Sequence, residues 1–337
     1  MAKSKSTSLW RPGNALMALG ILLLKLSARM PMPLLQFIGK ALGTFVYIVF
    51  PYRKRVALIN LGLCFPELSD KERRQLTYRH YQSMGMGIFE MAAAWYKPDE
   101  EILKWGQFKG IEHVEAVEES GRGILLLTAH FTTLEFYGRL FLLNRRFSCM
   151  YREPNQAILA KEMTRIRLDR MGRVIHMDEV NELIRALRSR EIVWYAPDQG
   201  KKIKYSAVLP FFGVPAVTNT ATGRLTRMGK AAVLPFFGYR KPDGTYHAEV
   251  FPELKDFPSD DPEADAIRIN QVVEEMIRTA PDQYFWLHKR FKRRGEGYPD
   301  VYKKDSGPGT LDPGPKRDSQ SSSPVSSVQS PESGNDK

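Results

Sequence analysis

The chain has 337 residues, 43% of them apolar and 26% charged. At roughly 150 residues per domain that allows one or two domains with a sizeable core, and it excludes an isolated peptide, a small disulfide scaffold or a wholly disordered chain. The net charge of +12 is concentrated at the start, because residues 1–66 carry nine Lys and Arg and the first acid is Glu67.

In chain order, the first elements are two apolar runs, Ala15–Leu24 and Leu34–Phe50, divided by Lys25, Arg29, Pro31 and Pro33. Basic and apolar residues together predict membrane attachment by residues 1–56. Leu26–Arg29 offers no small-x-small cleavage site, so the segment reads as an uncleaved anchor. Spanning needs about 20 apolar residues. Because the second run contains Gly39, Lys40 and Gly43, a tilted span and an interfacial helix are both open, as is an ordinary buried helical hairpin. Cations flank both runs, so the positive-inside rule leaves the orientation undetermined.

Residues 57–120 read as a helical entry subdomain. The linker Phe65–Leu68 leads to Ser69 and Asp70 as N-cap candidates, followed by an apolar face through Tyr81, Met84, Ile88 and Met91. Over 121–304, apolar runs of strand length alternate with amphipathic stretches, which predicts an α/β fold with a mostly parallel central sheet flanked by helices. Strands are expected at Gly123–Ala129, Phe147–Arg152, Val174–Met177, Ile192–Ala196, Ala231–Tyr239 and His247–Phe251. Helices are expected at Leu134–Asn144, Gln156–Met171, Glu179–Ser189, Thr218–Met228 and Pro262–Thr279. The hexapeptide V-L-P-F-F-G occurs at Val208–Gly213, read as a loop, and at Val233–Gly238, read as a strand; two copies do not make a solenoid. From Asp305 onward 18 of 33 residues are Ser, Pro or Gly, a composition that predicts a disordered tail over 305–337.

Chemistry concentrates at Leu125–Glu135, L-L-L-T-A-H-F-T-T-L-E, where a buried strand runs into a histidine and then an apparent helix. His130 and Glu135 would lie about 140° apart if both were helical. They converge only if His130 is in the loop and Glu135 in the first helical turn, with Thr132 or Thr133 as N-cap. A carboxylate beside the imidazole would fix its tautomer and make it a base toward a hydroxyl near neutral pH. A capped helix with an incidental histidine is the alternative. Asp198 and Gln199 follow the buried strand Ile192–Ala196 and should emerge on the same sheet edge as His130. His80, His113, His176 and His247 have no spaced partner that suggests a metal site and read as structural. Cys64 and Cys149 read as buried, reduced thiols without a function. The sequence has no P-loop, G-x-G-x-x-G or G-x-S-x-G. The run His288–Arg294 carries five Lys or Arg, a diffuse basic patch suited to phosphates or an acidic protein, and no zinc-finger, aromatic RNA or helix-turn-helix pattern accompanies it.

H-x-x-x-x-E after a hydrophobic strand resembles the signature of the lysophospholipid acyltransferase superfamily, and its Glu form is similar to the lipid A late acyltransferases, the lauroyl and myristoyl transferases of Gram-negative envelopes. Four further stretches resemble that family in order: Ile59–Ser69, Val193–Gln199, Phe211–Thr218 and Pro281–Lys292. The resemblance spans roughly residues 10–303.

It implies O-acyl transfer from an acyl carrier protein thioester to a hydroxyl on a hydroxyacyl chain of a lipid A precursor of the Kdo-lipid IVA type. The reaction would take place on the cytoplasmic face of the inner membrane, against its phospholipid, without a cofactor, metal or nucleic acid. In this reading His130 is the general base, Glu135 its orienting partner and Arg167 a functional arginine suited to the tetrahedral oxyanion. Arg152, Asp198, Gln199, Phe211, Phe212 and Gly213 would bind substrate. Asp198 would be part of the site wall rather than catalytic, and Phe211–Gly213 an apolar lip over an acyl channel. Transfer to another membrane lipid or glycolipid, and a noncatalytic lipid- or carrier-binding module, are the rival readings.

Overall fold

The computed structural model describes residues 12–200, 204–294 and 297–303. The expected tail at 305–337 lies outside the described residues, as do Lys3, Lys5 and Arg11 of the expected anchor.

Four helices open the described chain: α1 (Pro12–Ser27), α2 (Met32–Val49), α3 (Pro51–Cys64) and α4 (Asp70–Tyr96). Helix α4 starts at Ser69, whose hydroxyl accepts from the Glu72 N–H while the Glu72 carboxylate accepts from the Ser69 N–H. This capping box satisfies two otherwise orphaned donors. Helices α2 and α4 cross almost backbone to backbone: a Cβ at Gly39 would sit 2.5 Å from the Met86 Cα, and one at Gly43 would strike the Tyr81 carbonyl. One face of α2 is therefore buried, with Met32 and Leu35 inside. Leu34, Phe37, Phe45 and Ile48 remain exposed on the other face, as do Leu16, Leu19, Leu22 and Leu23 of α1. By length and composition α2 is a candidate membrane-associated segment.

A seven-stranded sheet in the order β1-β9-β8-β2-β5-β3-β4 follows. Its strands are β1 (Gly106–Lys109), β2 (Gly123–Leu127), β3 (Ser148–Tyr151), β4 (Val174–His176), β5 (Ile192–Tyr195), β8 (Ala231–Arg240) and β9 (Tyr246–Val250). Every neighbouring pair is parallel except β8 and β9. The fold is thus α/β with a mostly parallel sheet. Strand β1 lies inside the stretch expected to be purely helical. At four residues of alternating exposure, it is too short and too polar to stand out in the sequence.

The central strand β2 reads G-I-L-L-L and is buried throughout, as a strand covered on both faces must be. Ile124 and Leu126 face one core with Phe136, Tyr137, Leu140 and Phe141 of α7 (Leu134–Leu142). Leu125 and Leu127 face a second core with Leu183, Ile184 and Leu187 of α9 (Val180–Arg188) and Leu225 of α10 (Ala221–Gly229). The remaining helices are α5 (Asp99–Trp105), α6 (Ile111–Glu119), α8 (Ala157–Arg170) and α11 (Pro262–Thr279).

The first V-L-P-F-F-G copy is not a loop. It belongs to β6 (Ser206–Phe211), which pairs antiparallel with β7 (Val214–Asn219). The two-residue turn places Phe212 and Gly213 at φ 51° and 75°, the left-handed pair that a tight hairpin demands. Glycine adopts this region freely. Phe212 is held there by its N–H donating to Glu274 and by ring contact with Phe65. Strand β7 also consumes Thr218–Asn219, so the helix expected from Thr218 begins at Ala221.

Candidate active site

Strands β2 and β5 are parallel neighbours with Leu127 opposite Tyr195, so the segments that leave them emerge at one edge of the sheet. His130 and Asp198 meet there. Nδ1 of His130 lies 2.6 Å from Oδ1 of Asp198. The His130 backbone N–H and the Tyr284 hydroxyl both donate to Oδ2 at 3.1 Å. The loop is fixed from the far side as well: the Phe285 N–H donates to the His130 carbonyl, the Thr132 N–H donates to the Gln283 carbonyl, and Phe131 bridges Tyr284.

Burial disfavours the charged form of both partners. Their mutual attraction and hydrogen bonds outweigh it, so the Asp198 carboxyl is held below its ordinary 3.8 and the His130 imidazole above its ordinary 6.5. A carboxylate acceptor assigns the proton to Nδ1 and leaves the Nε2 lone pair free to accept one. The Asp198 side chain is 1% exposed and that of His130 39%. His130 lies on the wall of a cavity of about 1030 Å³ whose other walls include Leu134, Met163, Ile166, Met177, Ile184, Trp194 and Met228.

The expected His130–Glu135 contact is corrected by this geometry. Glu135, at the start of α7, also lines the cavity, but its Oε2 accepts from the Trp95 indole N–H at 2.9 Å and its Oε1 lies 3.6 Å from Nη2 of Arg167. The cause is the helix start. The N-cap is Thr133, so Glu135 is the second helical residue and is carried toward α4 and α8, while Asp198 takes the imidazole. Neither threonine caps with its side chain: Thr132 Oγ1 pairs with Ser83 at 2.7 Å and Thr133 Oγ1 donates to the Gly238 carbonyl at 3.5 Å. Asp198, read from the sequence as wall rather than machinery, is the group in contact with the imidazole.

Arg167, on α8, lines the same cavity, with its guanidinium 4.7 Å from the Tyr151 ring centre. Its Nη1 is buried without a hydrogen-bond partner. Arg152 and Gln199 also line the cavity, as does Cys149, whose thiol pKa burial pushes up. Phe211 and Phe212 do not form a lip over it. Phe211 is buried against Phe291 and under the Arg290 guanidinium, and half-buried Phe212 packs against Phe65 and Arg278, because the hairpin lies along α11. Gly213, between Phe212 and Val214 in that turn, is exposed and does not line the cavity.

The basic run His288–Arg294 is divided. Arg290 and Arg294 are each 5% exposed, and Arg290 donates to the Val217 carbonyl and the Thr218 hydroxyl. Lys292 and Arg293 are exposed. Among the other histidines, His80 is buried against the Asp282 carbonyl, with its pKa lowered by burial to about 4, and His247 pairs with Glu249 at 2.8 Å. Among the described residues no group of three or more His, Cys, Asp or Glu could hold a metal ion. Trp95 and Tyr284 escape sequence reading, since an aromatic side chain far along the chain leaves no spacing signal toward a carboxylate.

Over residues 2–293 the sequence matches the family of bacterial lipid A biosynthesis acyltransferases. The chain belongs to that family. The lipid A biosynthesis lauroyltransferase of Escherichia coli K12 is 38% identical over 299 residues, covering 88% of this chain and 98% of that protein. The palmitoleoyltransferase of the same strain is 33% identical over 285 residues, covering 84% and 93%. The myristoyltransferase of that strain is 27% identical over 269 residues, covering 78% and 82%. Relatives named for three different acyl chains thus share one lipid A acyltransferase framework with this chain.

Proposed function

We propose that this lipid A acyltransferase esterifies a hydroxyl on a hydroxyacyl chain of a lipid A precursor of the Kdo-lipid IVA type, taking the acyl group from acyl carrier protein thioester. The observation that carries this reading is His130, held by Asp198 through Nδ1 on the wall of a cavity lined mainly by apolar side chains. Nε2 accepts the hydroxyl proton as the oxygen attacks the thioester carbonyl carbon. The C–S bond then breaks, and the thiolate leaves with the proton that His130 returns. No covalent acyl-enzyme is required. The partnerless Nη1 of Arg167 is a donor for the carbonyl oxygen as it becomes an oxyanion. Glu135 holds Arg167, so it is a positioning residue, as Asp198 is for His130. The apolar walls suit an acyl chain, and Arg152 and Gln199 are among the polar members of the lining, beside Arg170, Asn219 and Arg224.

The exposed apolar faces of α1 and α2, flanked by cations, support attachment to the cytoplasmic leaflet of the inner membrane with its anionic phospholipid. The deciding experiment is a matched assay of wild type and His130→Ala. Acyl carrier protein thioesters of several lengths are combined with a tetra-acylated lipid A precursor and product mass is read. One added acyl mass with wild type alone is expected. Folded wild type that adds no acyl group with any donor would point to a different acceptor or to a binding module.

A further inference from the structure

A second cavity, of about 860 Å³, adjoins the first, since His288 lines both. Its wall brings together Arg53, Lys289, Arg290, Lys292 and Arg293, with no Asp or Glu among the described lining residues. Arg290 forms the buried floor, and its Nε has no hydrogen-bond partner. Arg53 reaches the same wall, with Nη1 donating to the Leu287 carbonyl at 3.4 Å. Lys289 lies 5.5 Å over the ring of Tyr52 and 5.4 Å over that of Tyr302. Cations gathered with no carboxylate among the described lining residues raise the local potential, and a concave wall strengthens it. The wall therefore suits an anion with several acceptor oxygens.

The location narrows the source of that anion. Arg53 follows the exposed apolar end of α2, where Ile48, Val49, Phe50 and Tyr52 are uncovered. The cleft thus lies next to the point where this exposed apolar surface ends and the charged surface begins. The Phe285 N–H on its wall donates to the carbonyl of His130, so the cleft lies beside the segment that carries the base. We propose that this cleft binds a phosphomonoester on the head group of a membrane lipid, and, resting on the reading above, that this lipid is the acceptor.

The test uses full-length protein in mixed micelles with two probes, a tetra-acylated glucosamine disaccharide bisphosphate and its dephosphorylated counterpart, and inorganic phosphate as competitor. Wild type and the turnover-deficient His130→Ala are expected to prefer the bisphosphate by roughly tenfold or more, as two to three charge-assisted contacts would give. Lys292→Gln/Arg293→Gln should bring that preference to within about twofold, and Arg53→Gln should weaken it. Equal binding of the two disaccharides by wild type, or a preference intact in both variants, overturns the proposal. Inorganic phosphate binding as tightly as the lipid would make this a site for free phosphate and also overturn it. A preserved preference with no turnover on any donor leaves the cleft standing and removes the acylation reading; turnover with no preference does the reverse.

Discussion

His130 and Asp198 share a hydrogen bond of 2.6 Å between Nδ1 and Oδ1, and a second bond of 3.1 Å ties the same carboxylate to the His130 backbone N–H. One carboxylate thus holds both the ring and the main chain of the residue that carries it.

The first consequence is a pH profile. The base works as neutral imidazole, so kcat/KM should rise with pH to a plateau with a midpoint above 6.5, because Asp198 holds the imidazolium more strongly than burial opposes it. In Asp198→Asn the burial remains and the charge goes. The midpoint should fall to or below 6.5, and the plateau should drop by about a hundredfold or more. A midpoint unmoved in Asp198→Asn would dissociate the carboxylate from the base.

The same pair sets a stability window. A histidine raised in the folded state stabilises fully below its unfolded value near 6.5, and that contribution fades as pH climbs through the folded value. An aspartate depressed in the folded state stabilises above 3.8 and loses this as pH falls through the folded value. The stability difference between wild type and His130→Ala, measured by urea titration, should be largest between these limits and shrink toward pH 8.

Glu135→Gln separates two roles. The amide can still accept from the Trp95 indole but carries no charge for Arg167. Turnover should fall by roughly ten- to a hundredfold with the pH midpoint unchanged. A midpoint that shifts downward, as expected for Asp198→Asn, would show Glu135 acting on His130 instead.

Glu90 tests the scaffold. It is 1% exposed and pairs with Arg240 and with the Tyr246 hydroxyl at 2.9 Å, and burial pushes its pKa up despite the guanidinium. Glu90→Gln leaves Arg240 charged and buried without its counter-ion, which should cost about 3 kcal/mol in equilibrium denaturation.

Phe37 and Ile48 of α2 are each 70% exposed. Phe37→Asp/Ile48→Asp should weaken flotation with anionic vesicles by about tenfold or more while leaving the thermal midpoint within about 2 °C, since neither side chain is in the core. A large drop in thermal stability would mean that this face is covered within the protein.

Strands and helices of the α/β core are legible in the sequence because buried parallel strands are unbroken apolar runs and helices such as α9 keep their apolar spacing. Ser69 and Asp70 are both cap candidates in the sequence, and the structure selects Ser69, with Glu72 closing the capping box. The edge strand β1 and the β6–β7 hairpin were not, one for its brevity and the other because Pro210 and Pro215 pair across it. In the site, His130 and Asp198 could each be placed at a strand end, but their pairing depends on β2 and β5 being adjacent, and strand order is not written in local sequence. Glu135 was assigned to the nearer histidine because spacing along the chain is visible, whereas the turn by which α7 starts is not.

The Phe131–Tyr284 bridge, with its flanking bonds from Thr132 to Gln283 and from Phe285 to His130, stitches the loop of the base to the segment that runs on into Lys289 and Lys292. Base and cations therefore share a single frame, like the two jaws of a fixed gauge. A lipid seated by its head would meet the imidazole at a set reach, so the hydroxyl chosen among several alike would be the one at that distance along the molecule, with no side chain needed to recognise it by its own chemistry.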